Sequence, residues 1–301
     1  MTDIITNGGR NVILNRAYKS SPDYTVPTNF KIGINNGTPL AADTALDYSV
    51  PIADGTTCDD GSNTFTGSSG GDNSTNNTTT FKAGGGNIDV TAQNLIANGT
   101  NATKIWTIAA LDTNIDQTLP YGFWLYIKDV YAIMKFIIGG TALRVKFGSD
   151  TSNYFYQTFT VAQLEIGWNW ITSNITAVED LSETGTVAGN VDTFIIEIIT
   201  NLAAQEFAEG DIVYDLLRQW QTTDLIQAFV SGYPTFDESN YNVTIRCYLG
   251  STQANGFLIN AVAFQNIDST PVVTDISSFT AESKSDTDEL VFVAVNTLTQ
   301  G

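Results

Sequence analysis

The chain has 301 residues, enough for two domains that each bury a core, and its 42 % hydrophobic and 11 % aromatic content excludes a wholly disordered polymer. Thirteen basic residues against 32 acidic ones give a net charge of −19 spread along the sequence, without the clustered Lys and Arg that a nucleic-acid backbone or an anionic membrane requires. Histidine is absent, which removes the commonest general base, the imidazole of Ser and Cys triads and the usual zinc ligand, so hydrolytic chemistry would have to run on carboxylates alone.

Charged residues are only 15 % of the chain, while Thr, Asn, Ser and Gly are plentiful. That is the composition of many short strands joined by turns, and the expected class is all-β. No apolar run approaches the roughly 18 to 20 residues of a membrane span, and the N-terminal MTDIITNGGRN lacks the apolar core of an export signal. Without such a signal, the Asn-x-Ser/Thr triplets at Asn98, Asn174 and Asn242 read as Asn- and Thr-rich composition.

In chain order, VILNRAY (12–18) and TNFKIGI (28–34) alternate as strands, a turn is expected at Asn35, Asn36 and Gly37, and 42–52 is ambiguous between helical turn and strand. From 53 to 86 large apolar groups almost vanish, which predicts a linker or long loop over 58–86. Within it Asp59, Asp60, Gly61, Ser62 and Asn63 are superficially like a calcium loop, but the spacing and distal Glu of a helix-loop-helix site are missing, so a turn-rich linker is expected and no metal is assigned.

Strands resume at 87–96 and 104–111. The block from Gly122 to Ile171 is the densest: FWLYIKD (123–129) is apolar on both faces, as a covered central strand should be. ALRVKFG (142–148) alternates Leu143, Val145 and Phe147 inward with Arg144 and Lys146 outward, so one face of its sheet should meet water. After a turn at 148–153, NYFYQTFT places Tyr154 and Tyr156 on one face and Phe155 and Phe159 on the other. Trp168 and Trp170 share a face, for which packing between two sheets is the expectation. For the tyrosines, packing and a ligand platform stand level, and Tyr154, Tyr156, Asp150 and Asn153 form the candidate binding set.

Strands follow at 190–200 and 210–220, where Asp215 shares a face with Val213 and Leu217; a metal ligand or sugar contact is the alternative, and a solvated strand-end carboxylate is the expectation. TTDLIQAFVSGYP (222–234) has helical spacing at Leu225, Ile226, Phe229 and Val230, with Thr223 to cap it and Gly232 and Pro234 to stop it. The tail gives strands at 242–250, 256–268 and 288–298. Neither head nor tail carries enough apolar residues to fold comfortably alone. One discontinuous β-domain from 1–57 and 240–301 is therefore expected, with an antiparallel β-sandwich of 87–239 inserted into it. Cys58 and Cys247 flank the insert, so a bridge stands against two free thiols, and the free thiols are preferred because two cysteines make no framework.

Two resemblances enter here. The head phrases ITNGGRNVILNRAY and YTVPTNFKIGINNGTP, with the tail phrase GFLINAVAFQNIDSTPVVTDISSFTAESKSDTDELVFVAV, resemble terminal portions of structural proteins of tailed bacteriophages. The middle phrases GFWLYIKD, Gly-Ser-Asp at 148–150, GWNW and IVYDLL resemble concanavalin-like and carbohydrate-binding-module-like jelly rolls, without a recognisable sugar-contact constellation. They imply a non-enzymatic virion protein, made in the host cytoplasm, tail-associated or decorating the capsid. Its implied partners are other virion proteins and copies of itself, the sandwich either binds a host-surface glycan or only supplies bulk and subunit contacts, and no cofactor is called for. The rival reading is a glycosidase or lyase, for which Glu165, Glu197 and Asp215 are the candidates and would need a pair about 5 Å apart or farther.

Overall fold

The computed structural model describes all residues except 1, 35–36, 68–71, 83–90, 99–100, 173–175, 286 and 298–301. Strand takes up 44 % and helix 9 %, so the protein is all-β. The expectations at Asn35, Asn36, Asn174 and the first part of 87–96 lie outside the described residues. No described helix is long and apolar enough to cross a membrane.

In the head, β1 (Thr2–Ile5), α1 (Asn7–Tyr18), β2 (Asn29–Gly33) and β3 (Ser49–Val50) follow one another. The middle contributes β4 (Thr56–Asp59), β5 (Thr66–Gly67), β6 (Asn73–Asn77), β7 (Ala92–Ile96), β8 (Thr103–Ile108), β9 (Tyr121–Ile127), the single-turn α2 (Val130–Ile133), β10 (Leu143–Gly148), β11 (Tyr154–Phe159), β12 (Gly167–Thr172), β13 (Ser182–Thr184), β14 (Thr193–Ile199) and β15 (Ile212–Gln219). The tail adds β16 (Gln227–Ala228), β17 (Thr235–Asp237), β18 (Asn242–Leu249), β19 (Leu258–Gln265), β20 (Val273–Ser283) and β21 (Leu290–Thr297). The chain divides into two compact units, one from residues 1–54 and 222–301, the other from 55–221.

The unit built from both termini holds a six-stranded sheet, β1-β20-β19-β2-β16 with β3 beside β2, and a three-stranded sheet, β17-β18-β21. Phe279 of β20 meets Phe292 of β21 at 5.3 Å between ring centroids, and Asn296 donates to Asp275 Oδ2 at 2.7 Å, so the sheets are packed together. Residues 12–18 form a helix rather than the expected strand. Buried Thr6 caps it by accepting from Gly9 N at 2.9 Å, and a Cβ at Gly9 would overlap the backbone of Thr274, so the glycines let α1 lie close against β20. The helix expected over 222–234 is a 3-10 turn at Thr222–Leu225 followed by β16. There Phe229 N donates to Thr28 O and Val230 N to Arg246 O, so partners in other segments take the backbone bonds a helix would have used.

The inserted unit is a 12-stranded antiparallel sheet, β12-β9-β15-β7-β6-β5-β8-β14-β10-β11-β13 with β4 beside β15, and it curls as a half-barrel. Residues expected as a linker enter this sheet instead: β4 pairs with β15, β5 with β8, and β6 with β7. Their polar composition reflects many short, half-exposed pairings, and this moves the start of the unit back to 55. The two arms of the curl face each other across aromatics. Phe194 of β14 stacks on Phe147 at 5.3 Å and meets Phe123 at 5.4 Å and Tyr214 at 5.6 Å from the opposite arm. Leu125, Ile127, Leu143, Val145, Ile196, Ile198 and Leu217 complete that core.

Two departures matter for the outer faces. The alternation of β15 breaks at Leu216, which has φ 50° within a bulge, so Tyr214 and Leu217 reach the core while Asp215 pairs with Trp124 outside it. Asp215 is buried rather than solvated, and its Oδ2 accepts from Lys82 N at 2.6 Å. Lys146 points outward as its alternation predicts, yet it too is buried. Cys58 and Cys247 are buried free thiols.

Candidate functional site

The outer face of the β12-β9-β15 arm carries an unbroken row of aromatic rings. Register sets Trp168 opposite Tyr126, Trp170 opposite Trp124 and Thr172 opposite Gly122, on the face away from Phe123, Leu125 and Ile171. The row runs Tyr126–Trp168 (5.2 Å), Trp168–Trp124 (6.5 Å), Trp124–Trp170 (4.8 Å) and Trp170–Trp220 (6.0 Å) between ring centroids. It gathers four of the chain's five tryptophans, with Trp106 alone in the core. The expectation that Trp168 and Trp170 pack between two sheets is therefore overturned. Asn169 takes the inward position between them, its side chain bonding to backbone of Leu125, Glu165 and Gly167. A Cβ at Gly122 would overlap the Trp170 indole, so only glycine lets that ring lie down on β9.

Trp124 and Trp220 are buried, while Tyr126, Trp168 and Trp170 are half-buried and form the accessible part of the row. Lys82 crosses it, its Nζ 4.5 Å from the centroid of Trp124 and 5.9 Å from that of Trp168. Burial pushes the Lys82 ammonium down to about 8, against the pull of the Asp215 carboxylate.

The candidate set from sequence lies on the other arm, in the β10–β11 hairpin. Tyr156 pairs with Lys146 and Tyr154 with Gly148, and the two rings meet at 6.1 Å, nearly edge-on. Glu197 of β14 pairs with Arg144 at 3.0 Å and with Lys146, and both Lys146 and Glu197 are buried. Lys146 Nζ lies 4.3 Å from the Tyr154 ring centroid and Arg144 Cζ 5.6 Å from that of Tyr156. At the hairpin tip, Asp150 accepts from Ser152 N at 2.6 Å and from Asn153 N and Nδ2, both at 2.9 Å, and these bonds, led by the Asn153 side chain, hold its carboxyl below the usual range. Asn153 Oδ1 accepts from Thr186 N at 3.1 Å. Asp150 and Asn153 thus build the turn, and the tyrosines roof an ion cluster.

A third group lies where β4 ends. Asp59, Asp60 and Asp112 each bring one carboxylate oxygen within 4.8 Å of the other two. Tyr214, wholly buried, donates to Asp59 Oδ2 at 2.6 Å, Ser62 N donates to Asp60 Oδ1 at 2.9 Å, and Asn63 Nδ2 donates to Asp112 Oδ1 at 3.0 Å. Burial pushes Asp59 up to about 6, with the charges of Asp112 and Asp60 adding to the rise and the Tyr214 and Asn63 groups opposing it. Asp59 and Asp60 fall in the run that the sequence reads as a turn-rich linker, and Asp112 joins them only through the fold.

The three carboxylates weighed for glycoside chemistry are not brought together as an acid–base pair. Glu197 is on β14, engaged by Arg144 and Lys146, Asp215 is on β15 in the other arm, and Glu165 is exposed before β12. The chain matches no known family model and no curated protein.

Proposed function

We propose that this chain is a non-enzymatic display protein whose inserted sandwich binds glycan on the outer aromatic face of β9 and β12. The observation that carries the reading is the continuous row from Tyr126 to Trp220, of which Trp168, Trp170 and Tyr126 remain accessible. Flat indole faces present a large apolar surface with a polar edge, which suits the mixed apolar and hydroxyl faces of sugar rings. Stacked bases would suit the rings equally, but a charge of −19 opposes a polyphosphate ligand. The separation of Glu165, Glu197 and Asp215 supports binding over hydrolysis.

The unit assembled from both termini fits a docking role, since the insert leaves and rejoins it at 54–55 and 221–222. The place of docking follows from the resemblance of the head and tail phrases to tailed-phage structural proteins, which makes the partners other virion proteins and copies of this chain.

A glycan array probed with the full chain tests the binding arm. Stacking on one aromatic ring contributes about 1–3 kcal/mol, roughly 5- to 150-fold in affinity, so Trp168→Ala should weaken binding by that factor. Glycans retained equally by Trp168→Ala and Trp170→Ala would overturn the assignment to this face, and no glycan bound by the wild-type chain would overturn the activity. Mass spectrometry of purified phage particles tests the location separately: a fixed multiple copy number is expected, and absence from the particle refutes it.

A further inference from the structure

The group formed by Asp59, Asp60 and Asp112 has the makings of a cation site. Three carboxylate oxygens within 4.8 Å of one another repel strongly unless a positive charge lies among them. Among the described residues, no Lys or Arg forms an ion pair with Asp59 or Asp112. A second observation is independent of the clustering. Asp59 is 0 % exposed, and although Tyr214 satisfies Oδ2 and the Asn63 amide lies close enough to favour the charged form, no donor meets its buried Oδ1 in hydrogen-bonding geometry. A buried carboxylate oxygen without a donor costs on the order of 1–3 kcal/mol or more, and a bound cation removes that cost.

We infer that Asp59, Asp60 and Asp112 bind a calcium ion. The donors are hard oxygens only: the chain has no histidine, and the neighbouring Cys58 thiol is held neutral by burial, which pushes it up to about 12. Calcium suits the set better than magnesium because the ligands come from two separate segments, the end of β4 with the turn after it and the loop after β8, and calcium accepts variable geometry and coordination number. The ion ties the turn after β4, residues 59–63, to the segment after β8, where Thr113 N already donates to Cys58 O at 3.2 Å and Asn63 reaches Asp112. With Asp112 exposed and Asp60 half-exposed, the site belongs to the weaker class of calcium sites, with Kd about 10⁻⁴ M.

The test is calorimetric titration of the chelator-treated full chain with CaCl₂ and, in parallel, MgCl₂, together with thermal unfolding in each salt. One calcium per chain is expected, with Tm raised by about 5 °C at saturating calcium. Asp112→Asn, chosen because Asp112 is exposed and its loss spares the core, should weaken calcium binding at least tenfold and abolish the Tm rise, while Glu206→Gln at an exposed position elsewhere changes neither. No saturable calcium binding up to about 10 mM, roughly tenfold above the Kd of the weakest protein calcium sites at about 10⁻³ M, overturns the inference. So does binding left unchanged by both Asp112→Asn and Asp60→Asn, which would place the ion elsewhere on the acidic surface. Magnesium bound more tightly than calcium overturns the choice of metal.

Discussion

Two outer faces of one curled sheet carry aromatic residues two apart on a strand, and they are built on different foundations. On the β10–β11 arm, Tyr154 and Tyr156 lie over Lys146 and Arg144, whose charges Glu197 balances. On the β9–β12 arm, Trp168 and Trp170 lie on other rings, with Lys82 crossing from a distant segment. The first face uses aromatics to cover charge, and the second extends an aromatic surface outward. A row that rests on rings can lose an exposed member and keep its support, whereas a roof over ions cannot be removed without wetting them. Under the proposed function, that contrast separates a stability element from a binding element.

The largest expected effect follows from removing the charge under the tyrosine roof. Glu197→Gln leaves Lys146, at 9 % side-chain exposure, and Arg144 without their carboxylate, and breaking a buried pair of this kind costs about 3–5 kcal/mol. Urea unfolding of the full chain measures it, and a loss below about 1 kcal/mol, the range of surface pairs, would show that water already screens the cluster. The glycan binding proposed for the tryptophan face should survive in the folded fraction.

Gly122→Ala comes next and acts on the other face. The added methyl must displace the Trp170 indole, and overpacking of this kind costs about 1–3 kcal/mol. Here stability and glycan affinity should fall together, because the displaced ring belongs to the accessible row. A variant that loses stability while binding normally would separate Trp170 from the ligand surface.

Tyr154→Ala is a smaller test of the same contrast. Losing the ring over Lys146 removes a partly desolvated cation–π contact of about 0.5–2 kcal/mol, with no change in glycan affinity expected. A drop in affinity comparable to that of Trp168→Ala would move the binding face to the β10–β11 arm.

How much of this could be read in the sequence depends on where each signal comes from. The all-β class was legible in composition, and the alternation of β10 correctly divided Leu143, Val145 and Phe147 from Arg144 and Lys146. The face of Trp168 and Trp170 was not legible, since spacing says that two residues share a face but only the pairing with β9 says which face is outside. The buried state of Lys146 and the grouping of Asp112 with Asp59 likewise depend on strands far away in sequence. Helix α1 was missed because its apolar residues are few and its cap, Thr6, is fixed by a bond to Val273 O. The 222–234 stretch was misread because its helical spacing was overridden by pairing with β2. Asp215 was misplaced by a bulge that alternation cannot foresee.

The smallest effect distinguishes the two cations that cross aromatic rings. Lys82 has its ammonium pushed down to about 8 from an ordinary 10.5, chiefly by burial, with the Asp215 carboxylate opposing. Below pH 8 the folded and unfolded chains both carry this proton, and folding bears the full cost of burying it. Between about 8 and 10.5 the unfolded chain binds more protons than the folded one, so the contribution of Lys82 to stability rises with pH and is level again above that window. Lys82→Met removes the titration, and the stability of the wild type relative to this variant should therefore climb from pH 8 to pH 10.5. Over the same range the wild-type tryptophan fluorescence should titrate with a midpoint near 8 as the charge over Trp124 disappears, and the variant should show no such step. A flat or falling stability difference would mean that Asp215 and the rings compensate the buried charge in full. Lys82 would then resemble Lys146, a charge held by its carboxylate, and the two faces would differ in their rings alone.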